Sequence, residues 1–385
     1  MIIGKLHLSH FRSFRERKID FSERTSIIVG PNASGKTNIL ESIFLLATGK
    51  SFRARIEEEM ISYNNEIARI AGIVTSRKDH TTGESSQAGE YKSSNRATSD
   101  KLQSTRLEIV LTRGEITLGD SNVEKTPRKK LLVNGVPRRL IDFAGNFKVV
   151  LFGPWDLDLV TESPSLRRKF LDTVLSQVDR EYRRASLSYE KGLRQRNRLL
   201  YRIREEGISR GQLLFWDRLL VKNGDYIARR REEFINFVNS TPKLQDTNYQ
   251  LFYDKSAISE TRLEQYKDEE VAAASTLVGP HRDDFIFKVK GKRQVVKERE
   301  LARYGSRGEQ RMGVLWLKLA ELAFIKSVTN EKPTLLLDDI FSELDHEHRD
   351  VVKDIVNNFS GQTIITTADP HFVENIKKVE KIELE

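Results

Sequence analysis

The segment Gly30-Pro31-Asn32-Ala33-Ser34-Gly35-Lys36-Thr37 constrains the fold of this chain more than any other stretch. It fits G-x-x-x-x-G-K-[ST], a loop whose backbone N–H groups cradle phosphates when it joins a buried strand to a helix. Both neighbours are expected here. Residues 26–29 (SIIV) read as a strand, and residues 38–48 (NILESIFLLAT) as an apolar helix. The helix start adds the positive end of its dipole. Lys36 can then reach the β- and γ-phosphates, and the Thr37 hydroxyl can hold Mg²⁺. Residues Gly30 to Thr37, with Asn38 beside them, form the candidate nucleotide-binding segment, with ATP and Mg²⁺ as expected ligands.

The matching chemistry stands near the other end of the chain. Leu335-Leu336-Leu337-Asp338-Asp339 is an apolar run ending in two carboxylates. Asp338 is placed to hold Mg²⁺ together with Thr37, and Asp339 to polarise an attacking water. Ser342-Glu343-Leu344-Asp345 follows at once. Thirty-two residues before Asp338 lies Tyr304-Gly305-Ser306-Arg307-Gly308-Glu309-Gln310-Arg311, which opens an apolar helix. A hydroxyl, a glycine and free N–H groups at a helix start suit an anion. Residues 334–338 (TLLLD) and 363–367 (TIITT) are short apolar runs, as strands buried on both faces should be. The chain therefore predicts an α/β head assembled from both ends, with mixed sheets, flanking helices and an inserted helical lobe. Its expected divisions are 1–164, 165–265 and 266–385.

The insert carries the charge. The chain has 65 Lys+Arg against 56 Asp+Glu, a net charge of +9. Residues 167–210 alone hold 13 basic and 6 acidic residues, or 13 − 6 = +7. Phe170, Val174, Val178, Tyr182, Ala185, Tyr189 and Leu193 recur at helical spacing and form one apolar face. Arg180, Arg184, Lys191, Arg194, Arg198 and Arg202 fall on one stripe opposite much of it, a candidate surface for a polyanion such as DNA. No base-reading motif is present, so shape or end recognition is expected. Residues 2–8, 107–112, 275–279 and 285–291 read as strands, and 130–140 as a hairpin turning at Asn134-Gly135. Residues 76–105, rich in Ser, Thr, Gly and charge, read as a mobile surface loop.

Other classes are excluded or disfavoured. With no cysteine, the chain has no disulfide, thiolate zinc site or cysteine nucleophile. No run of about 18 apolar residues and no signal-type apolar core appears, so a cytoplasmic protein without a membrane is expected. His281 has no second histidine at metal-ligand spacing, so a metal site there is disfavoured.

The order of these motifs resembles the ABC-type ATPases of chromosome maintenance, the SMC/RecF group. The opening FRSF (11–14) suits that group. Lys50-Ser51-Phe52-Arg53, residues 152–172 (FGPWDLDLV through SPSLRRKFLD) and Gly279-Pro280-His281-Arg282-Asp283-Asp284 look specifically like the RecF family. Only 306 − 37 = 269 residues separate Thr37 from Ser306, without sustained heptads, so a long coiled-coil arm is excluded. The resemblance implies that two copies sandwich two ATP molecules. Ser306, Gly308 and Glu309 of one copy would then cap the γ-phosphate held by the other. Ser342, Glu343 and Asp345 would fall in the D-loop at the dimer interface. It also implies slow, DNA-stimulated hydrolysis, with Asp339 where many ABC ATPases have glutamate. The implied substrate is gapped or junction DNA in recombinational repair and replication-fork maintenance, with RecR and RecO as partners in loading recombinase. Either Thr367 or His371 would be the switch residue. The competing readings are an ATPase/nuclease component like the OLD group, which needs an added acidic module, and a transporter nucleotide-binding subunit, which has its signature much closer to the phosphate loop.

Overall fold

The computed structural model describes residues 1–76, 103–118, 122–244, 247–290 and 298–385. Its elements follow directly from the sequence periods. β1 (Ile2–Phe11) and β2 (Phe14–Asp20) form a hairpin, and β3 (Thr25–Val29) leads into α1 (Lys36–Thr48). β4 (Ile67–Ser76), β5 (Gln103–Thr112), the small hairpin β6 (Glu115–Leu118) and β7 (Asn122–Lys125), then β8 (Lys129–Val133) and β9 (Val136–Arg138) follow. The turn between β8 and β9 has positive φ at both Asn134 (50°) and Gly135 (78°), the conformation a tight hairpin demands. α2 (Leu140–Phe143) leads to β10 (Val149–Phe152). α3 (Asp158–Thr161), α4 (Pro164–Val178), α5 (Arg180–Glu206) and α6 (Leu214–Ser240) come next, then β11 (Asn248–Asp254), α7 (Glu260–Gln265) and α8 (Lys267–Ala273). The chain closes through β12 (Asp284–Lys290), β13 (Arg299–Glu300), α9 (Leu301–Tyr304), α10 (Arg307–Thr329), β14 (Thr334–Asp338), α11 (His346–Asn358), β15 (Thr363–Thr367) and β16 (Val379–Glu383).

Two sheets enclose α1. One is antiparallel, in the order β2-β1-β4-β5-β8-β9; the other is parallel, in the order β10-β14-β15-β3-β16. The parallel strands are apolar throughout because both their faces are covered; β14 and β15 are buried at every position. α1 is buried from Ile39 to Ala47, so it is enclosed all round rather than along one stripe. The first and last parts of the sequence thus share one core. The parallel register sets Asp338 beside Thr366 and Thr367 beside Val29. The carboxyl ends of β3, β14 and β15 therefore converge on the phosphate loop, the usual binding edge of such a sheet.

A second core joins α4, α5, α6 and α10 through Phe170, Val174, Tyr182, Tyr189, Phe234 and Phe324. Four details depart from the sequence reading. The apolar face from Phe170 to Leu193 belongs to two helices, because Asp179 leaves the helical region (φ −129°, ψ 108°) and caps α5 through the Tyr182 N–H. A strand, β11, interrupts the stretch 165–265 because it pairs with β12. Residues 275–279 form no strand; side chains satisfy their backbone instead, with Asn197 accepting from the Thr276 N–H and Glu270 from that of Leu277. Of the expected loop 76–105, residues 77–102 lie outside the described residues. Ser76 and 103–105 are strand, paired in register between β4 and β5.

Candidate functional site

The phosphate loop curls around its own lysine. Lys36 Nζ donates to the carbonyls of Gly30 (2.7 Å) and Pro31 (2.8 Å). Burial lowers its pKa, against the opposing pull of Asp339 and Asp338. Gly35 has φ +98°, and a Cβ there would stand 2.6 Å from the Phe14 ring, so conformation and space both require glycine. Ala33 also has positive φ (69°). Asn38 donates to Ser13 Oγ (3.0 Å) and accepts from Arg53 (3.3 Å). Ser34 Oγ is buried and has no hydrogen-bond partner.

Thr37 Oγ1 lies 3.2 Å from Asp338 Oδ1. The same carboxylate oxygen accepts from Thr366 Oγ1 at 2.6 Å. Burial raises the Asp338 pKa, and these two hydroxyls work against that rise. Asp339 adopts a left-handed backbone (φ 46°), turned away from the strand line, with its N–H donating to Thr366 Oγ1 (3.1 Å). Burial raises its pKa too, and its Oδ1 is buried without a partner. Thr366 was not singled out by the sequence. Its signal was the threonine pair at the end of an apolar strand, but the hydroxyl that meets Asp338 is set by register.

The motifs FRSF and KSFR meet at α1. Arg12 forms a two-pronged ion pair with the fully buried Glu41 (2.7 and 2.9 Å), and Ser51 donates to the same carboxylate. They hold the two loops carrying Ser13, Phe14 and Arg53 against the start of α1.

At the other end of the head, Ser306 caps α10. Its Oγ accepts from the Glu309 N–H (3.2 Å), and the Glu309 carboxylate accepts from the Ser306 N–H (2.8 Å), a capping box. Glu309 also pairs with Arg299. Gly308 lies on the first turn of α10 against His348. Arg311 reaches Glu343 at 2.7 Å, tying α10 to the turn after β14. In that turn Ser342 Oγ donates to the Asp339 carbonyl (2.7 Å), and Asp345 caps α11 by accepting from the His348 N–H (3.0 Å). No hydrogen bond or ion pair among the described residues joins 306–309 to 30–38. Within one chain, then, the candidate residues form two groups.

Thr367 is buried and bonds the Asp369 carbonyl (2.9 Å), whereas His371 is exposed and pairs with Glu374 (2.8 Å), which raises its pKa. His281 is held inside by Tyr189 (2.8 Å) and the Thr276 carbonyl (3.0 Å). Burial lowers its pKa to about 4, so it is neutral at physiological pH. Its neighbour Asp283 is fully buried and accepts from Arg231, Tyr253 and the Ser256 N–H. The segment 279–284 therefore clamps α6 to β11 and β12.

The basic stripe is real but less positive than its count. Arg180, Arg184, Lys191, Arg194, Arg198 and Arg202 are all exposed on α5. Arg180 pairs with Asp142, Arg184 with Glu181, Arg194 with Glu190 and Arg202 with Glu206. Of the 13 basic residues in 167–210, Arg167 and Arg196 are buried in ion pairs with Asp284 and with Asp217 and Glu270. They do not contribute to the surface.

Residues 2–385 match the RecF/RecN/SMC N terminal domain family. "DNA replication and repair protein RecF" of Herpetosiphon aurantiacus is 34% identical over 399 residues, covering 98% of this chain and 97% of its own length. RecF of Halothermothrix orenii is 35% identical, covering 96% and 92%. The solved structure of the recombination mediator protein RecF with ATP superposes with a TM-score of 0.80 at 27% identity over 99% of this chain and 95% of that one. An Smc head domain from Pyrococcus furiosus shares the fold (TM-score 0.51, 16% identity). The architecture is thus that of an ABC-type P-loop ATPase head with mixed sheets and flanking helices. Matched along nearly its whole length by the family and by RecF relatives above 30% identity, this chain belongs to the RecF/RecN/SMC N-terminal domain family, within its RecF branch.

Proposed function

We propose that this chain is an ATP-dependent DNA-binding ATPase of recombinational repair and replication-fork maintenance, working as a dimer that closes on gapped or junction DNA. The observation that carries the reading is the convergence of Lys36, Thr37, Asp338, Asp339 and Thr366 at one sheet edge, with two buried polar atoms, Ser34 Oγ and Asp339 Oδ1, lacking partners. Buried polar groups without partners are costly, so a bound group that satisfies them is favoured. The donor set fits the ligand class: a lysine, an N-terminal helix turn and hydroxyls for a triphosphate, and hydroxyl and carboxylate oxygens for Mg²⁺. Thr37 Oγ1 and Asp338 Oδ1 are hard oxygen donors 3.2 Å apart, the donor type that would suit Mg²⁺.

In this reading residues 30–38 and Lys36 bind and orient the triphosphate. Thr37 and Asp338 would hold Mg²⁺, which neutralises charge on the phosphate oxygens. Asp339 accepts a proton from the attacking water, and its short side chain is consistent with slow turnover. Ser306, Gly308 and Glu309 act across the dimer, which fits their separation from the phosphate loop within one chain. Ser342, Glu343 and Asp345 line the interface. Arg180, Arg184, Lys191, Arg194, Arg198 and Arg202 meet DNA phosphates without reading sequence. The RecF relatives and the solved structure of RecF with ATP in the RecFOR pathway support membership of that pathway; RecR and RecO as partners and recombinase loading as the outcome are part of the proposal. Among the described residues no helix is long and apolar enough to cross a membrane, which is consistent with a cytoplasmic site of action.

The test is anisotropy binding to gapped duplex, with and without ATP, for the wild type, Lys36→Met and Ser306→Arg. ATP should tighten wild-type binding, and both variants should lose that response. ATP-independent binding, unchanged in both variants, would overturn the clamp.

A further inference from the structure

The signature end of the chain holds a titratable group that this reading leaves unused. His348 stands on the first turn of α11, and its Nδ1 lies 2.8 Å from Asp345 Oδ2. An ionised carboxylate only accepts, so the bond places a proton on Nδ1 and leaves Nε2 as the free ring nitrogen. Capping alone needs only Asp345 Oδ1 on the His348 N–H; the second bond fixes the ring. A Cβ built on Gly308 would stand 3.4 Å from His348 Cε1, the ring carbon bonded to Nε2. The imidazole thus packs on the signature glycine. Its side chain is 20% exposed, open at one edge yet too enclosed to swing freely. Among the described residues no hydrogen bond to Nε2 is present.

We infer that His348 Nε2 is a further phosphate-binding group of the signature surface, donating to the terminal phosphate of a nucleotide held by a second copy of this chain. The inference rests on the dimer reading. When the ring is protonated, Nε2 carries a second N–H and a positive charge toward that phosphate. The charged or titratable groups on the elements around the ring are Asp345, His346, Glu347, Arg349 and Asp350 at the start of α11, Arg307, Glu309 and Arg311 on α10, and Glu343 in the preceding turn. Arg311 and Glu343 pair with each other, and Glu309 is engaged by Arg299.

The experiment measures ATP-dependent dimerisation from pH 6 to pH 8 by sedimentation, for the full-length wild type, His348→Ala, His348→Gln and Ser306→Arg. Binding of a fluorescent ATP analogue reads the phosphate loop separately. Wild-type dimerisation should tighten about tenfold toward pH 6, as expected of one charge-assisted bond. His348→Gln, which keeps a neutral donor, should dimerise with a flat pH profile. His348→Ala should weaken dimerisation without changing analogue binding. If Ser306→Arg still dimerises with ATP, the dimer reading fails and this inference falls with it. If Ser306→Arg is monomeric while His348→Ala and His348→Gln keep the wild-type affinity and pH profile, the inference about His348 alone is overturned.

Discussion

Replacing Thr366 with valine removes one hydroxyl and almost no volume. In the wild type that hydroxyl donates to Asp338 Oδ1 at 2.6 Å and accepts from the Asp339 N–H at 3.1 Å. Asp338 is only 2% exposed. After the change its carboxylate keeps the Thr37 hydroxyl at 3.2 Å. A hydrogen bond to a buried charge contributes about 1.5–3 kcal/mol. Lost from the ionised form that holds Mg²⁺, it corresponds to a roughly 10- to 100-fold fall in Mg²⁺-dependent ATP affinity. Fold stability should fall less, because Asp338 can take up a proton and the Asp339 N–H still has the Thr366 carbonyl (3.1 Å). The pH dependence has a definite sign. Burial already raises the Asp338 pKa, and the Thr366 bond opposes that rise. Without it the pKa climbs further, so affinity should be lost at a higher pH as the solution is acidified. The assay is fluorescence titration with an ATP analogue, in Mg²⁺ and in EDTA, with Thr366→Ser as the restoring variant. In EDTA the wild type and Thr366→Val should bind alike. A folded Thr366→Val protein with wild-type affinity in Mg²⁺ would refute the role given to this strand.

The remaining predictions concern the frame around the site. Burial raises Glu321 to about 7 beside Lys318 and Asp156. Because the folded pKa lies above the unfolded one, its contribution is complete below pH ~4.5 and is lost as pH rises through ~7; Glu321→Gln should therefore flatten the decline in urea stability between pH 5 and 8, worth up to about 3 kcal/mol. Arg231→Met leaves the fully buried Asp283 without its main counter-charge and should cost about 3–5 kcal/mol in chemical denaturation. Arg198→Glu should weaken DNA binding and its salt slope more than Arg194→Glu, because Arg194 is already paired with Glu190; equal effects would mean that the helical ion pairs do not matter.

The legible parts of this protein were the contiguous ones. Residues 25–37 carry strand, turn and helix start in one short segment, and the strand ending at Asp338 announces itself by three leucines before its carboxylates. What the sequence hid depends on register or on partners far along the chain. Residues 363–367 offer three threonines, and only the pairing of β15 with β14 decides that Thr366 meets Asp338. Arg196 was counted with the surface charge, yet it is 2% exposed and joins Asp217, Glu270 and Thr276. Its position four residues from Gly192 and from Leu200, on the buried face, was a signal that the count overlooked. Residues 275–279 looked like a strand because they are apolar and β-branched. Strand ladders need a neighbour, however, and here Asn197 and Glu270 side chains take the backbone N–H groups instead. The break at Asp179 was readable in principle, since Asp-Arg-Glu-Tyr is a good helix start, but an unbroken apolar period masked it.

The most direct test of the central claim, that each nucleotide site is completed by the signature of a second copy, is to mix Lys36→Met with Ser306→Arg. Each variant alone should hydrolyse almost no ATP. In the mixed dimer, the intact phosphate loop of the Ser306→Arg chain faces the intact signature of the Lys36→Met chain, so one composite site is whole. Mixing should restore ATPase activity that neither component shows alone, up to about half that of the wild type, because each mixed dimer holds one intact site of two. A mixture no more active than its separate components, or a Ser306→Arg protein that hydrolyses ATP normally by itself, would contradict the account.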